Sequence, residues 1–247
     1  MFLVLEDVTF SVKQGTVVSL VGPSGCGKTT FLRIVAGFDA GHGGTVKVEE
    51  DGSPDSTMSL GSVGYIPQEP SLFPWCTVEE NIAFSLRIRG IPKKERDRRV
   101  AELLRMVNLD RYRKFYPKEL SGGMKQKATI CRALALPTAH GLILLDEPFS
   151  ALDAQTRNAL QTDLLGIQKS ENLTLLFVTH NIDEAVFISD QVVILTGIPA
   201  RVKNISPVGL PRPRDRTSAD FNAIRREILN QCESIPSDSR MKLGKSL

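Results

Sequence analysis

The sequence lacks any apolar run long enough to cross a bilayer, so it predicts no membrane-spanning segment. Its four cysteines have neither metal-ligand spacing nor the pattern of a disulfide framework, and we expect a reducing compartment. The first residues, "MFLVLEDVTF", have no basic region and turn acidic at once, unlike a secretory signal peptide. We therefore expect a soluble, cytoplasmic protein that reaches a membrane only through a partner.

The chain also has little excess of positive over negative charge. Its net charge is +3, which is too small by itself to indicate a nucleic-acid partner. The distribution is uneven, because residues 85–127 hold fourteen Lys/Arg against five Asp/Glu. A solvated helical face explains this excess. Proximity to anionic lipid headgroups or RNA is the alternative.

Four short apolar segments predict β-strands. "VVSLVG" (17–22), "GLILLDEP" (141–148) and "LTLLFVTH" (173–180) are almost uninterrupted apolar runs, typical of parallel strands buried on both faces. "VGYIP" (63–67) is a further strand. Helical patterns lie between them, which indicates an α/β fold.

The predicted secondary structure changes from strands to helices after residue 68. "TVEENIAFSLRI" and "KKERDRRVAELLRMVNL" have helical spacing and almost no strand character, so we expect a helical subdomain at about 69–137 inserted into the α/β core. Residues 207–216 are interpreted as a proline-broken linker. An amphipathic helix follows, capped by Ser218 or Asp220, and we expect a disordered tail over 232–247.

"GPSGCGKT", residues 22–29, fits the phosphate-loop pattern G-x-x-x-x-G-K-[ST]. An apolar strand precedes it and a helix follows, which is the context that separates this motif from a chance glycine-rich turn. The glycines let the backbone wrap phosphate oxygens, and N–H groups at the helix start favour the negative charge. We expect Lys28 to reach the terminal phosphates and the Thr29 hydroxyl to bind Mg²⁺.

"LILLDE" supplies two carboxylates where a buried strand ends. Asp146 is placed to hold Mg²⁺, often through water. Strand alternation predicts that Glu147 points to a different side, where it can polarise a water in line with the γ-phosphate. The alternative is that Glu147 is merely solvated at the strand end.

Two further features can contact phosphate. His180 also follows an apolar strand, where it is either a structural residue or a γ-phosphate contact. "LSGGMKQK" (120–127) places a serine and two glycines before a helix, a form suited to anions, but it has no phosphate-loop lysine. It can complete a nucleotide site but is poorly equipped to form one alone.

From about residue 5 to 231, the chain resembles the nucleotide-binding subunit of ATP-binding cassette (ABC) transporters. The matching motifs occur in the family's order: "GPSGCGKTT" is similar to Walker A, Gln68 to the Q-loop glutamine, "LSGGM" to the signature motif, "LILLDE" to Walker B, "SALD" (150–153) to the D-loop, and His180 to the switch histidine. Met124 stands where the family most often has glutamine.

The resemblance implies a P-loop NTPase core of the ABC ATPase type over residues 1–231, using ATP and Mg²⁺. It implies catalytic roles for Glu147 and His180, and metal binding by Thr29, Gln68 and Asp146. The expected nucleotide contacts are Gly22, Pro23, Ser24, Gly25, Cys26, Gly27, Lys28, Thr29, Thr30, Gln68, Ser121, Gly122, Gly123 and Asp153.

In this family two cassettes pack head to tail, and each signature turn caps ATP on the partner's Walker A loop. The resemblance therefore assigns Ser121, Gly122 and Gly123 to an ATP held by a second cassette, identical or closely related. The family also stacks adenine on an aromatic residue near the chain start, where Phe2 is the only aromatic nearby.

"THNIDEAVFISDQVVIL", with Glu184-Ala185 after the histidine, resembles importer cassettes. The segments that contain the other motifs resemble the nitrate, sulfonate, taurine and bicarbonate importer subfamily. These segments are "GPSGCGKTTFLRIVAGF", "PWCTVEENIAFSL", "FYPKELSGGMKQ" and "DEPFSALDAQTR". This implies ATP hydrolysis that energises uptake of a small anion through a separate permease, fed by an extracytoplasmic solute-binding protein, at the cytoplasmic face of the membrane. The alternative is a soluble cassette ATPase acting on nucleic acid or ribosomes; with one cassette and no long insertion, we expect no nucleic-acid partner.

Two local hypotheses remain. Phe73, Pro74 and Trp75 either face the permease or pack internally. Cys26, beside Lys28 at a helix start, is either a small space-filler or a thiol whose pKa is lowered and whose reactivity is raised; we favour the reactive thiol.

Overall fold

The computed structural model describes residues 3–50, 53–57, 63–135 and 141–233. The chain divides into two compact units, a first unit of Met1–His42 and Leu176–Leu247 and a second unit of Gly43–Leu175. Within the described residues, every helix is too short or too polar to span a bilayer.

Strands and helices alternate along much of the chain. In order they are β1 (Val17–Val21), α1 (Lys28–Val35), β2 (Lys47–Glu50), β3 (Ser53–Thr57), β4 (Gly64–Ile66), α2 (Val78–Ile88), α3 (Lys93–Met106), α4 (Gly122–Ala135), β5 (Leu142–Asp146), α5 (Ala154–Ser170), β6 (Thr174–Val178), α6 (Ile182–Ile188), β7 (Gln191–Leu195), β8 (Val202–Pro207) and α7 (Ala219–Glu233). The four predicted strands are confirmed as β1, β4, β5 and β6.

The first unit is built around β1, whose five residues are all buried, as expected for a strand covered on both faces. β1 pairs in parallel with β7, with Val18 opposite Gln191. β8 adds to β7 in the antiparallel direction. β6 leads the chain from the second unit into the first, and the N–H of Thr179 donates to the carbonyl of Leu20 (3.3 Å). The carboxyl ends of β6 and β1 therefore lie side by side.

The second unit pairs β4 in parallel with β5, and β2 with β3 as an antiparallel hairpin. Its described residues between β4 and β5 form α2, α3, α4 and two 3₁₀ turns, Asp110–Tyr112 and Pro117–Glu119. α2 begins with a capping box, in which the Thr77 hydroxyl accepts from the Glu80 N–H and the Glu80 carboxylate accepts from the Thr77 N–H. This local sequence signal fixes where the helical segment starts.

Residues 207–216 pack more tightly than the predicted linker. The guanidinium of Arg214 is buried and donates to the carbonyls of Val186 (2.7 Å), Ser189 (2.6 Å) and Val208 (3.1 Å). Burial lowers the pKa of Arg214 to about 10. A long cation that satisfies several carbonyls fixes this segment to the end of α6, whereas proline content alone suggested a loose connection.

The terminal helix starts as predicted, because the Ser218 hydroxyl accepts from the Phe221 N–H (3.3 Å). α7 continues to Glu233, two residues into the segment predicted to be a disordered tail. The rest of that segment, 234–247, lies outside the described residues, as does Phe2, the candidate adenine contact.

Candidate functional site

The phosphate loop joins β1 to α1 in the first unit. Gly25 and Gly27 have φ values of 77° and 108°, in the left-handed region that favours glycine. A Cβ on Gly27 would lie 2.6 Å from Cγ1 of Val4, so glycine is needed there for space as well as for conformation. The predicted contacts Pro23, Ser24 and Thr30 lie on this same loop and helix start. The loop is therefore a tight turn that ends at a helix N-terminus, where N–H groups have no helical acceptor.

Lys28 points its ammonium back into this turn. Nζ donates to the carbonyls of Gly22 (3.0 Å) and Pro23 (2.9 Å), and Lys28 is only 6% exposed. These bonds place a positive charge inside the curve of the loop. Thr29, the next residue and a predicted Mg²⁺ ligand, is exposed.

The prediction that Cys26 has a lowered pKa is wrong. Cys26 is 1% exposed, and its sulfur would lie 3.2 Å from a Cβ placed on Gly22. Burial raises the pKa of the Cys26 thiol, and the nearby Lys28 charge and backbone N–H groups offset this only in part. The side chain fills the inside of the loop, where loss of solvent outweighs the electrostatic effects.

His180 is exposed and directly follows the buried Thr179, whose N–H bonds to Leu20 of β1. β1 ends one residue after Leu20, and the phosphate loop begins at Gly22. The structure therefore brings the chain segment of His180 to the strand that carries the phosphate loop, within the first unit. Proximity of this kind is what a γ-phosphate contact would need.

Asp146 is the last residue of β5 in the second unit and is 4% exposed. Its Oδ2 accepts a hydrogen bond from the Tyr65 hydroxyl (3.2 Å), at the neighbouring strand β4. Sequence reasoning missed Tyr65, because nothing in "VGYIP" signals that its hydroxyl meets a carboxylate. A buried carboxylate oriented by a hydroxyl is suited to metal binding or to a structural hydrogen bond.

Glu147 lies beyond the strand whose alternation was expected to orient it. β5 stops at Asp146, and Glu147 has φ of 43°, in the left-handed region that non-glycine residues seldom adopt. Its direction is therefore set by a backbone turn and not by strand alternation. Such backbone conformations cost free energy and are concentrated at functional sites.

The Glu147 turn continues into the predicted D-loop. The Ser150 hydroxyl lies 3.0 Å from the Glu147 carbonyl and donates to it, and Gln68 Nε2 lies 3.5 Å from the same hydroxyl oxygen. The chain segments of Gln68 and Glu147 thus meet at Ser150. This brings together two of the sequence-predicted site residues of the second unit.

The signature turn forms the start of α4. The Ser121 hydroxyl accepts from the Met124 N–H (3.3 Å), and the Ser121 carbonyl accepts from the Lys125 N–H (3.0 Å). Gly123 is buried, and a Cβ on it would lie 2.4 Å from Cγ2 of Thr156. Gly122 is exposed and has more room. Close packing against α5 therefore explains glycine at residue 123.

Asp153 of the D-loop caps α5. Its carboxylate accepts from the Thr156 N–H (3.0 Å), and this backbone bond, together with a second from the Thr156 side chain, lowers the pKa of Asp153. Because Thr156 also packs against Gly123, the D-loop and the signature turn share one contact in the second unit. Both are fixed by the same residue.

In the aromatic turn, residues 73–75, Pro74 and Trp75 are exposed, whereas Phe73 is partly buried and packs against Phe84. Asn81 is buried, and its side chain donates to the carbonyls of Phe73 (3.1 Å) and Cys76 (3.0 Å) while accepting from the Phe73 N–H (2.7 Å). The rings of Phe73 and Trp75 lie 5.7 Å apart, yet Trp75 is 73% exposed. Trp75 is therefore not packed inside the protein.

Comparison with known proteins gives the family. The family model described as ABC transporter matches residues 5–150. An ABC transporter ATP-binding protein of Methanocaldococcus jannaschii, MJ0412, is 45% identical over 92% of this chain and 83% of its own length. The aliphatic sulfonates import ATP-binding protein SsuB of Bacillus subtilis is 43% identical over 93% of this chain and 87% of its own length.

A solved structure of the ATP-binding cassette MJ0796, a dimer bound to ADP and Pi, has a TM-score of 0.68 and 28% identity; the alignment covers 84% of this chain and 92% of that one. The predicted fold class, an α/β P-loop NTPase core of the ABC ATPase type, is confirmed. With a family model over more than half of the chain and relatives above 40% identity along nearly all of it, the chain belongs to the ABC transporter family.

Proposed function

We propose that this protein is the ATP-hydrolysing subunit of an importer, and that the imported solute is an aliphatic sulfonate or a closely similar small anion. The observation that carries the proposal is the identity of 42–43%, along nearly the whole chain, to several proteins named for aliphatic sulfonate import. The alternative, a cassette ATPase acting on nucleic acid or ribosomes, is not favoured, since these relatives are named as import proteins.

ATP binding is assigned to the phosphate loop, residues 22–30. The loop offers a helix N-terminus and a buried ammonium held inside the turn, both of which favour the negative charge of phosphates. Lys28 can exchange its bonds to loop carbonyls for bonds to terminal phosphate oxygens, because both are hydrogen-bond acceptors. The Lys28 ammonium binds a charged phosphate oxygen more strongly than a neutral carbonyl oxygen, because the opposite charges attract.

Hydrolysis is assigned to Glu147 and His180. A carboxylate at Glu147 accepts a proton from the attacking water, which is general base catalysis. The turn at Glu147, which fixes its backbone in an uncommon conformation, supports a functional role. The His180 imidazole donates a hydrogen bond to the γ-phosphate and stabilises the charge that develops there.

Mg²⁺ is assigned, on the motif resemblance, to Thr29, Gln68 and Asp146. These residues offer a hydroxyl, an amide and a carboxylate, the oxygen donors that this ion prefers. Within the described residues there is no group of three His, Cys, Asp or Glu that could hold a metal ion. When bound, Mg²⁺ supplies charge neutralisation at the phosphates.

A second ATPase subunit is the first proposed partner. Ser121, Gly122 and Gly123 are assigned to an ATP bound by that partner, because the signature turn offers N–H groups and a hydroxyl but no lysine of the phosphate-loop type. Asp153 is assigned to nucleotide binding by the motif resemblance alone. The dimeric solved cassettes support this assignment.

The permease is the second proposed partner, and the aromatic turn is its proposed docking site. Exposed tryptophans held on rigid backbone are typical of binding hot spots. The second unit also has a cavity of about 380 Å³ whose lining contains five basic and three acidic side chains. The basic ones are Arg87, Lys93, Arg96, Arg113 and Lys114. We assign to the aromatic turn a cytoplasmic permease segment with apolar side chains, which holds the protein at the cytoplasmic face of the membrane. Three of the basic side chains in the cavity already form ion pairs with Glu79 or Asp97, so the cavity adds little free charge to this contact.

Replacement of the relative's subunit tests the proposal. In a Bacillus subtilis strain that lacks its own SsuB, this chain should restore growth on ethanesulfonate as the sole sulfur source. Glu147→Gln should not, because its hydrolysis falls on the order of a hundredfold. Growth on sulfate is the control. Failure to restore growth by a protein that hydrolyses ATP when purified would contradict sulfonate import, and equal growth with Glu147→Gln would contradict the role of Glu147.

Trp75→Ala tests docking in the same strain. This variant should hydrolyse ATP normally when purified and yet fail to restore growth. Phe38→Ala, which truncates another exposed aromatic side chain in the first unit, is the matched control and should restore growth. Normal growth with Trp75→Ala would contradict the docking site.

A further inference from the structure

A closed set of hydrogen bonds surrounds the backbone of His180. The buried Thr179 hydroxyl donates to Oε2 of Glu184 (2.7 Å) and accepts from the N–H of Asn181 (3.0 Å). Thr179 and Asn181 are the residues on either side of His180, so the bond between them spans it. One hydroxyl is thus used as both donor and acceptor, and it fixes both neighbours of the histidine.

The set closes at the start of α6. Oδ1 of Asn181 accepts from the N–H groups of Asp183 (2.9 Å) and Glu184 (3.4 Å). Glu184 is therefore held to Asn181 through its backbone and to Thr179 through its side chain. The Thr179 N–H continues to Leu20 of β1, the strand that precedes the phosphate loop. The clamp, residues 179, 181 and 184, connects α6, the histidine segment and β1 within the first unit.

Burying the Glu184 carboxylate costs free energy, which indicates that the carboxylate has a role in this position. Glu184 is 6% exposed and Thr179 2% exposed, and a buried carboxylate loses the solvation of its charge. The adjacent Asp183 shows the cheaper alternative, since it is partly exposed and forms an ion pair with Arg216 (3.0 Å). The rest of α6 after Glu184, residues 185–188, is apolar and buried. The position of Glu184 therefore favours a role in orienting Thr179 over a role in stabilising the apolar core.

We infer that Glu184 is a positioning residue of the ATPase site, which acts through Thr179 to fix the direction in which His180 projects. The inference rests on the proposed function, because it takes His180 as the γ-phosphate contact. Glu184 and Thr179 themselves touch no reacting atom. Their effect is on how often the imidazole is in the orientation that hydrolysis requires.

Four variants separate positioning from bulk stability. Thr179→Val removes the hydroxyl at constant shape, and Glu184→Ala removes the acceptor. Glu184→Gln keeps an amide oxygen that can accept from Thr179. Asp183→Ala, the matched control, removes the neighbouring carboxylate of α6 outside the clamp.

Hydrolysis is measured on the full-length protein as kcat and KM for ATP. Thr179→Val and Glu184→Ala should each lower kcat about tenfold with little change in KM, a loss typical of one hydrogen bond to a charged group. The double variant should fall no further than the worse single variant, because both remove the same bond. Glu184→Gln should retain most of kcat, and Asp183→Ala nearly all of it.

Histidine ring resonances supply a readout that a purely structural role would not move. The chain has three histidines, and His180→Ala identifies the signal of His180. With selectively labelled histidine, that signal should shift or broaden in Glu184→Ala and Thr179→Val and should be preserved in Glu184→Gln. If Glu184→Ala does not fold, Thr179→Val and Glu184→Gln carry the test.

The outcomes are distinguishable. An unchanged His180 signal and kcat in Thr179→Val would overturn the inference, as would equal losses in Glu184→Gln and Glu184→Ala. If His180→Ala hydrolyses ATP normally, the proposed role of His180 is wrong. If His180→Ala loses hydrolysis while the clamp variants do not, only the inference is wrong.

Discussion

The thiol of Cys26 lies inside the phosphate loop, and burial governs its chemistry. The sulfur faces the backbone at Gly22, and loss of solvent raises the pKa of the thiol despite the nearby charge of Lys28. The thiolate, which is the reactive form, is therefore scarce at neutral pH. A residue type and its sequence neighbours indicate the electrostatic effects on a pKa, whereas desolvation depends on packing.

Cys26 should accordingly resist modification. In a Cys76→Ser, Cys232→Ser background, a maleimide should label the folded protein slowly, since Cys131 is also buried and its pKa is raised to about 12. ATP hydrolysis should persist after the exposure. The urea-unfolded protein, which should label at both remaining cysteines, is the control. Rapid labelling of Cys26 in the folded protein would show that the loop opens far more than its packing indicates.

At the level of elements, α4 packs against α5 at Gly123. A methyl group there would overlap Cγ2 of Thr156, a side chain that is stiff at χ1 and whose N–H is held by Asp153. Gly122, one residue earlier, has Leu152 Cδ2 at 3.9 Å from such a methyl group, an ordinary contact. The two glycines of "LSGG" therefore differ in what a substitution would cost.

Gly123→Ala should lower the free energy of unfolding by about 1–3 kcal/mol, as overpacking does. Gly122→Ala should not lower it, because the added methyl group meets only an ordinary contact with Leu152. Denaturant unfolding measures both. Thr156→Ser removes the overlapping methyl and should recover part of the loss in Gly123→Ala. Equal effects of the two glycine variants, or no recovery, would contradict the packing shown here.

Strands and motifs with strong local signals could be predicted from the sequence. β1, β5 and β6 are apolar runs of the length of a buried strand, and the phosphate loop has a fixed glycine spacing. β8 could not be predicted, because it pairs on one side only with β7 and its residues are mostly partly or fully exposed, without an apolar pattern. Its pairing depends on a distant strand, which no local pattern specifies.

Site residues follow the same division. Motifs identify Lys28, Asp146 and Glu147 as candidates, and their roles remain proposals, whereas no motif indicates Tyr65 or the clamp at Thr179. The hydroxyl of Tyr65 meets Asp146 across two strands that are 81 residues apart in sequence. Such pairs arise from sheet register, so they become visible only when the fold is known.

In the assembled protein, we propose that each ATP is served by two chains. The phosphate loop has a buried lysine, and the signature turn has a capping serine and a glycine pressed against α5, but no lysine of its own kind. We therefore propose that the phosphate loop binds ATP and that the signature turn completes the ATP site of a second chain. The dimeric cassettes among the solved relatives agree with a second chain as the other contributor.

Mixing two inactive variants tests directly whether each ATP site is formed by two chains. Ser121→Arg blocks the signature turn, and Lys28→Ala removes the phosphate contact, so each alone should hydrolyse ATP poorly. If the sites are shared between chains, a mixed dimer contains one site with both defects and one with neither, and mixing should raise hydrolysis well above that of either variant alone. If the signature turn serves the ATP of its own chain, every site in the mixture is defective. Hydrolysis in the mixture no higher than the average of the two variants would contradict the account.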